Sequence, residues 1–416
     1  MTAAVPPSIA DRPAVLVIFA LTYLGLAVGR IPGLKVDRTG IAVLGAIAML
    51  VISRLPTNTI VEFINWPTVL LLFSFFVISA QLRLSGFFDL VANAIARQLG
   101  NPTAFLILLM LATAGLSAFL NHDIVCFVFT PIVAAALLKQ RLDPVPFLVA
   151  LAIASNIGAA ATLVGNPQGM MIAQIGGLDF GHYAAWCLPP VVFALLCACA
   201  ITWLLWRGRA RLPEAQPVQP SGQYPFDPAH TIKGLVILAV VIGLFFTKLP
   251  KEVVALTAAG IHLASPKFRT SDMLRLVDWQ ILVLFMGLFV VTGAFQATGC
   301  GEQAVLWLSR GGLNLDSPRI LALATAALSN IINNSAAVML LLKVADVARP
   351  PAAYVLSLAN SFGGSLIVVG SVANIIVVQQ AREMGVDISF RAFARIGIPV
   401  TIAALAGLLG WITLMG

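Results

Sequence analysis

The apolar positions of this chain come in long runs separated by short polar punctuation. An α-helix needs about 20 apolar residues to cross a bilayer. The runs fall at about 14–29, 40–53, 67–81, 103–138, 145–173 and 184–206, and again at 232–246, 253–264, 281–294, 319–342, 352–379 and 393–415. Between 83 and 98, charge and bulk alternate at helical spacing, which suits a helix lying in the membrane interface or a soluble connector. Residues 207–230 form the clearly hydrophilic, proline-rich stretch and divide the chain into halves, 1–206 and 231–416, joined by a linker.

Two runs in each half depart from a plain span. The fourth is about twice the needed length and carries a polar knot, Asn121-His122-Asp123 in the first half and Asn333-Asn334-Ser335 in the second. Either two full crossings or one helical hairpin would account for it. The fifth run is broken in its middle. SNIGAAATLVGNPQGMMI answers NSFGGSLIVVGSVANIIV without a gap, so that Gly158 meets Gly363, Gly165 meets Gly370 and Asn166 meets Ser371. Asn65-Trp66 before the third run likewise answers Asp278-Trp279. The halves therefore read as a duplication. With an odd number of crossings per half, the two repeats are inverted in the membrane.

Composition agrees with this reading. Hydrophobic residues make up 60% and charged residues 10% of the 416, and the mean hydropathy is +0.97. Soluble domains carry about 25% charged residues. The net charge of +8 sits in loops, as the positive-inside rule produces, and does not call for a nucleic acid partner. Arg30, Lys35, Arg38, Arg83, Arg97, Lys139, Arg141, Arg207, Arg209, Arg211 and Lys233 fall on one side of the first half, with only Arg12 and Arg54 opposite. The central linker is thus expected in the cytoplasm and both termini outside, in a bacterial or archaeal inner membrane. The second half is balanced and does not bear on this. Cys126, Cys187, Cys197, Cys199 and Cys300 form no CxxC pair and read as small core residues. The N-terminus has no small-residue cleavage site, which suggests an uncleaved first span.

The polar knots and the breaks hold the candidate chemistry. A carboxylate within a membrane span costs roughly 2.5–3.5 kcal/mol on insertion scales, so Asp123 is the prime candidate to exchange a proton or accompany a cation. The structural alternative is that Asp123 caps the helix that follows it. His122 fits either a donor to substrate or a satisfied core histidine. Asn121, Asn333, Asn334 and Ser335 supply uncharged donors and acceptors, or polar links between helices. At the breaks, Ser155, Asn156, Gly158, Gly165 and Asn166 are matched by Ser361, Gly363, Gly370, Ser371 and Asn374. There, backbone groups freed from the helix must face protein, water or a ligand. No nucleotide, phosphate or metal motif occurs, so no cofactor is expected beyond a coupling ion, H⁺ or Na⁺.

FLNHDIVCFVFTPI, SNIGAAATLVGNPQGMMI, NIINNSAAVML and GGSLIVVGSVANIIV together resemble the ion transporter superfamily over about residues 14–415. That group holds the ArsB-type arsenite permeases, the NhaD-type Na⁺/H⁺ antiporters and the divalent anion:Na⁺ symporters. The resemblance implies an all-α polytopic membrane protein of two inverted repeats, each of about five transmembrane helices with a re-entrant hairpin and a broken helix. It also implies a homodimer built on the early spans. In the symporters each hairpin tip carries Ser-Asn-Thr; here those places hold Asn121-His122-Asp123 and Asn333-Asn334-Ser335. The arsenite and antiporter branches show Asn-Asn-Asp or Asn-Asp at the first tip and Gly-Asp-Pro-Pro-Asn in the first break. This chain has His122 for an Asn, Asn166 for the Asp, and Gln168-Gly169 for Pro-Asn. The expected function is secondary active transport of a small inorganic solute, arsenite or antimonite first, driven by H⁺ rather than Na⁺. Na⁺/H⁺ antiport and Na⁺-coupled symport of a carboxylate such as citrate are the alternatives. A membrane-embedded enzyme would need a nucleophile or metal cluster beside His122-Asp123, which the sequence does not offer; a passive channel would not need the broken repeats.

Overall fold

The computed structural model describes residues 12–28, 35–53, 57–207, 224–297, 314–345 and 350–415. The expected linker lies outside the described residues from 208 to 223, as do Arg30, Arg54 and Cys300. All regular structure among the described residues is helical. The first series is α1 (Arg12–Val28), α2 (Arg38–Ser53), the short α3 (Thr57–Phe63), α4 (Trp66–Leu84), α5 (Phe87–Ala96), α6 (Pro102–Phe119), α7 (His122–Lys139), α8 (Val145–Ala159), α9 (Pro167–Gly176) and α10 (Phe180–Trp206). The second repeats the order: α11 (Pro228–Leu244), α12 (Lys251–Leu263), the short α13 (Thr270–Arg275), α14 (Trp279–Ala297), α15 (Pro318–Ile332), α16 (Asn334–Val344), α17 (Pro350–Gly363), α18 (Val372–Glu383) and α19 (Phe390–Met415). Among the described residues α4, α6, α7, α10, α14 and α19 are each long and apolar enough to cross a membrane.

The two series run in opposite directions. At one end of the molecule the Gln81 amide donates to the carbonyl of His230 (2.8 Å), and the Asp227 N–H donates to the carbonyl of Ser85 (2.9 Å). Asp227 itself is paired with Lys267. Thr39 donates to the carbonyl of Gln280 (3.4 Å), and Arg83 and Asp278 line one cavity. The last turn of α4 therefore lies with the first turns of α11 and α14. At the other end Lys251 donates to the carbonyl of Leu178 (3.1 Å) and Arg319 to Thr413 (3.3 Å). Trp186, early in α10, lies 6.2 Å from Trp411, late in α19. Helix α4 is thus antiparallel to its counterpart α14, and α10 to α19, which is what inverted repeats require.

The halves interlock. Helix α4 packs on α12 and α14 on α2, so the fourth helix of each series rests on the second helix of the other. Likewise α7 packs on α18 and α16 on α9. The polar knots are the turns of helical hairpins, α6–α7 and α15–α16. Arg97 and Leu99 before α6 share a cavity with Lys139 and Gln140 after α7, so the first hairpin returns to the end it left. The segment that follows α4 forms α5, which buries Phe88, Ala92 and Ile95 and packs against α7. Its apolar face thus covers protein.

Small residues set the crossing of each hairpin with the broken helix beside it. Helix α6 packs on α8 and α15 on α17. A Cβ on Gly158 would overlap the backbone of Ala114, and one on Gly363 would lie 2.7 Å from the Cα of Ala326. Ala114 and Ala326 occupy the same place in TAGLS (113–117) and TAALS (325–329). This pair of pentapeptides extends the repeat into the hairpins, inside apolar runs where the sequence reading passed over it. Backbone contact this close carries the packing where no hydrophobic drive separates helix from lipid.

Two glycine substitutions are expected to part on this account. Gly158→Val forces backbone apart and should lower stability by at least about 1–3 kcal/mol, the usual cost of overpacking. Gly115→Ala fills open space, with the residue that Ala327 already supplies in the second series, and should be neutral or stabilising by up to about 1 kcal/mol. Thermal melting of the detergent-purified variants reads both.

Candidate transport site

The tip of each hairpin is built the same way. Asn121 is the N-cap of α7, its side-chain oxygen accepting from the N–H of Asp123 (2.8 Å). Asn333 is the N-cap of α16, accepting from the N–H of Ser335 (3.0 Å). Asn333 holds a φ of 84° with a ψ of 148°, outside the left-handed helical well and in backbone territory that residues other than glycine rarely adopt. The structure therefore assigns the cap to Asn121 and not to Asp123. This leaves the Asp123 carboxylate in the first turn, where the N-terminal partial charge of the helix favours an anion.

The tips reach the breaks. In the first half the His122 N–H donates to the carbonyl of Gly165 (3.3 Å), and Ser155 donates to the carbonyl of His122 (3.3 Å). Thr162 donates to the carbonyl of Ala118. In the second half the Asn330 amide donates to the carbonyl of Gly363 (2.8 Å), and a Cβ on Gly364 would lie 2.7 Å from the Asn334 amide nitrogen. Asn166 caps α9 through the N–H of Gly169 (2.6 Å), so its amide nitrogen is free to donate to Ser361 across the halves (3.1 Å). The Asn374 amide nitrogen is held by the carbonyls of Gly364 (2.7 Å) and Ile367 (3.0 Å). Its oxygen accepts from Asn156 (2.8 Å). Gln168 donates to Ser335, at the tip of the opposite hairpin (2.8 Å). Breaks and tips of both halves thus form one polar centre.

Several buried polar atoms in this centre find no hydrogen-bond partner among the described residues: His122 Nδ1, Asp123 Oδ1, Asn334 Oδ1, Asn360 Oδ1 and Ser365 Oγ. Asp123 and Asn334 are each 5% exposed. His122 Nε2 lies 3.6 Å from Asp123 Oδ1, too far for a hydrogen bond. Each unsatisfied buried group costs about 1–3 kcal/mol, so these atoms call for water or another polar partner. A cavity of about 480 Å³ opens at the first tip, lined by Asn121, Asp123, Arg83, Arg275, Asp278 and Gln280 among others.

The structure brings together the residues singled out from the sequence at the tips and breaks. Gly158 and Gly363 act through helix packing, Gly165 lends its carbonyl to the tip, and Gly370 lies where a Cβ would meet Asn330 Oδ1 at 2.5 Å. Ser371 stands at the N-cap of α18 without a side-chain cap bond. Cys126 is buried, and no group of His, Cys, Asp or Glu fit for a metal occurs among the described residues. Sequence reasoning overlooked Asn330, Thr162, Gln168 as a link, and Tyr183. The Tyr183 hydroxyl shares a hydrogen bond with Ser357 (2.7 Å) and donates to the carbonyl of Ala160 (3.0 Å). Ser117 and Ser329 were readable from the pentapeptide repeat, whereas nothing near Tyr183 in sequence signals its partners.

The chain is similar to known proteins. The family model for citrate transporters (CitMHS) matches residues 14–354. A Mycobacterium tuberculosis protein named as an uncharacterized transporter is 32% identical over 82% of this chain and 84% of its own length. The inner membrane protein YbiR of Escherichia coli is 26% identical over 83% of this chain and 87% of its own. Among solved structures, the YdaH transporter of Alcanivorax borkumensis superposes with a TM-score of 0.53 at 15% identity, covering 98% of this chain and 97% of that one; this likeness concerns the fold.

If Asn374 ties the two breaks together, Asn374→Ala should be costly. It leaves the Gly364 and Ile367 carbonyls and the Asn156 amide without their bonds, at about 1–3 kcal/mol for each group left buried and unpaired. The expected readout is a clear fall in the melting temperature in detergent, against no fall for Cys197→Ala.

Proposed function

The chain belongs to the citrate transporter family, and from this premise we propose that it is a secondary active transporter that moves a small, oxygen-rich solute by alternating access, driven by an ion gradient through Asp123. The observation that carries the reading is the set of unpartnered buried atoms between the tips and the breaks, His122 Nδ1, Asp123 Oδ1, Asn334 Oδ1, Asn360 Oδ1 and Ser365 Oγ. Amide and hydroxyl groups at the tips and breaks can hold a neutral oxyacid without confronting it with fixed charge, which suits arsenite or antimonite at neutral pH. The tips carry a carboxylate on one side, Asp123, against Ser335 on the other. One exchangeable proton per cycle is therefore the simplest coupling, ahead of Na⁺.

In this reading both hairpins are re-entrant. They rise from opposite ends, and the bonds of the first tip to Gly165 and of the second tip to Gln168 support this reading. The excess of Lys and Arg on one side of the first half puts the Arg83–Asp278 end and the linker in the cytoplasm, with the termini outside. Dimerisation through the early helices of each series is part of the same proposal. A second reading, a carboxylate of the citrate class as solute, is favoured by Arg83 and Arg275 in the cavity that leads to Asp123, since paired guanidinium groups suit an anion.

Purified protein in liposomes distinguishes these. Flux of arsenite, antimonite, citrate, succinate and sulfate is measured with an imposed pH or Na⁺ gradient and without one. The expected outcome is gradient-driven flux of one class, with Asp123→Asn retaining solute exchange at equal concentrations but losing gradient-driven accumulation by tenfold or more. Full accumulation by Asp123→Asn would sink the coupling role.

A further inference from the structure

The repeats differ in acidity at two matched places, and both differences face one cavity. At the hairpin tips the pair is Asp123 and Ser335. At the start of α4 and of α14 it is Asn65 and Asp278. Asn65 caps α4 by accepting from the N–H of Thr68 (3.0 Å), and Asp278 caps α14 by accepting from the N–H of Ile281 (3.0 Å). An asparagine therefore suffices for the cap, and the charge at 278 exceeds what the helix start needs. The cavity of about 480 Å³ that contains Asp278 contains Asp123 as well. Of these two, Asp123 is 5% exposed with Oδ1 unpartnered, whereas Asp278 is partly exposed.

We propose that Asp278 is a second station on the ion path, loading at this mouth of the cavity and passing its proton to Asp123. The proposal rests on the transport reading above and adds a residue to it. The Asp278 carboxyl gives up a proton, through water filling the cavity, to Oδ1 of Asp123. Asp278 is left a carboxylate and reloads from bulk solution. A cavity this large holds water where polar groups line it. The charged groups that line the cavity with Asp278 are Arg275 on α13, Arg83 at the end of α4 and Asp123 on α7, and His122 stands beside Asp123. Asp37 and Arg38 stand at the head of α2, whose Thr39 touches Gln280. Arg83 lies over the ring of Phe127, 4.4 Å from its centroid, one helical turn beyond Asp123 on α7. Arg83 and Arg275 line the same cavity, so a carboxylate left behind after transfer shares that cavity with two cations.

The test is Asp278→Asn, which places at 278 the residue that already caps α4 at 65. Proteoliposomes are loaded with arsenite or citrate as probe. Initial rates are taken for uptake driven by a pH gradient and for solute exchange at equal pH on both sides. Asp278→Asn is expected to slow gradient-driven uptake about tenfold, to steepen its loss at high external pH on the Arg83–Arg275 side, and to leave exchange within twofold of wild type. Combined with Asp123→Asn it should add no further loss, because the two act in series. Wild-type driven uptake in Asp278→Asn overturns the relay, as does an equal fall in uptake and exchange, which would reduce Asp278 to a structural cap. These outcomes leave the transport reading intact when Asp123→Asn still uncouples. A wild type that moves neither probe along an ion gradient overturns both.

Discussion

The structure turns on the cost of an interrupted backbone in an apolar medium. A helix broken at mid-depth exposes N–H and C=O groups that lipid cannot satisfy, each at a cost of several kcal/mol. Here the breaks at 160–166 and 364–371 and their flanks are closed by polar groups: Asn374, in the helix that resumes after the second break, on the carbonyls of Gly364 and Ile367, and from the hairpins Asn330 on Gly363 and the His122 N–H on Gly165. Hairpins whose tips reach the breaks are one way to deliver such groups. The glycine and alanine contacts of α6 with α8, and of α15 with α17, follow, because a hairpin arm must approach the broken helix at backbone distance to put its tip there.

Inversion lets two imperfect solutions complete each other. Each half leaves its break partly open, and the other half supplies the missing partner: Asn156 to Asn374, Asn166 to Ser361, Gln168 to Ser335. The same exchange appears in the packing of α4 on α12 and of α14 on α2. The halves defined in sequence are therefore not independent bodies in space. Neither centre nor scaffold is complete within one of them.

This explains which parts were legible from the sequence. Long apolar runs, the matched glycines and the polar knots are written locally, since span length, close approach and helix interruption each demand particular residues in place. The counterparts Gly158 and Gly363, or Asn121 and Asn333, could be named before any geometry was known. The direction of the cap was not legible, because Asn121 and Asp123 are both good caps and only backbone geometry chooses between them. The cross-half pairs were hidden for another reason. Partners such as Gln168 and Ser335 are brought together by how the two halves dock, and nothing local records it. Asp278 was visible as a repeat partner of Asn65, yet its chemistry depends on a cavity formed by α4, α7 and α13 together.

The strength of the links between the halves also bears on motion. The three amide pairs that join the breaks and tips across the halves are neutral bonds, each with a net contribution of about 0.5–1.5 kcal/mol, so at the centre, apart from the packing of the outer helices, they contribute a few kcal/mol. Moving a two-state equilibrium from one side to the other takes about 5.5 kcal/mol of differential binding, which is the same order. A solute that replaces these bonds with its own oxygens could therefore tip the balance between arrangements. A buried ion pair in their place would be a poorer hinge, since breaking one by removing a partner costs about 3–5 kcal/mol and would hold the halves in a single arrangement. The use of amides and hydroxyls where the halves meet, with the carboxylate confined to one tip, suits a centre that must be closed in each arrangement and still able to leave it.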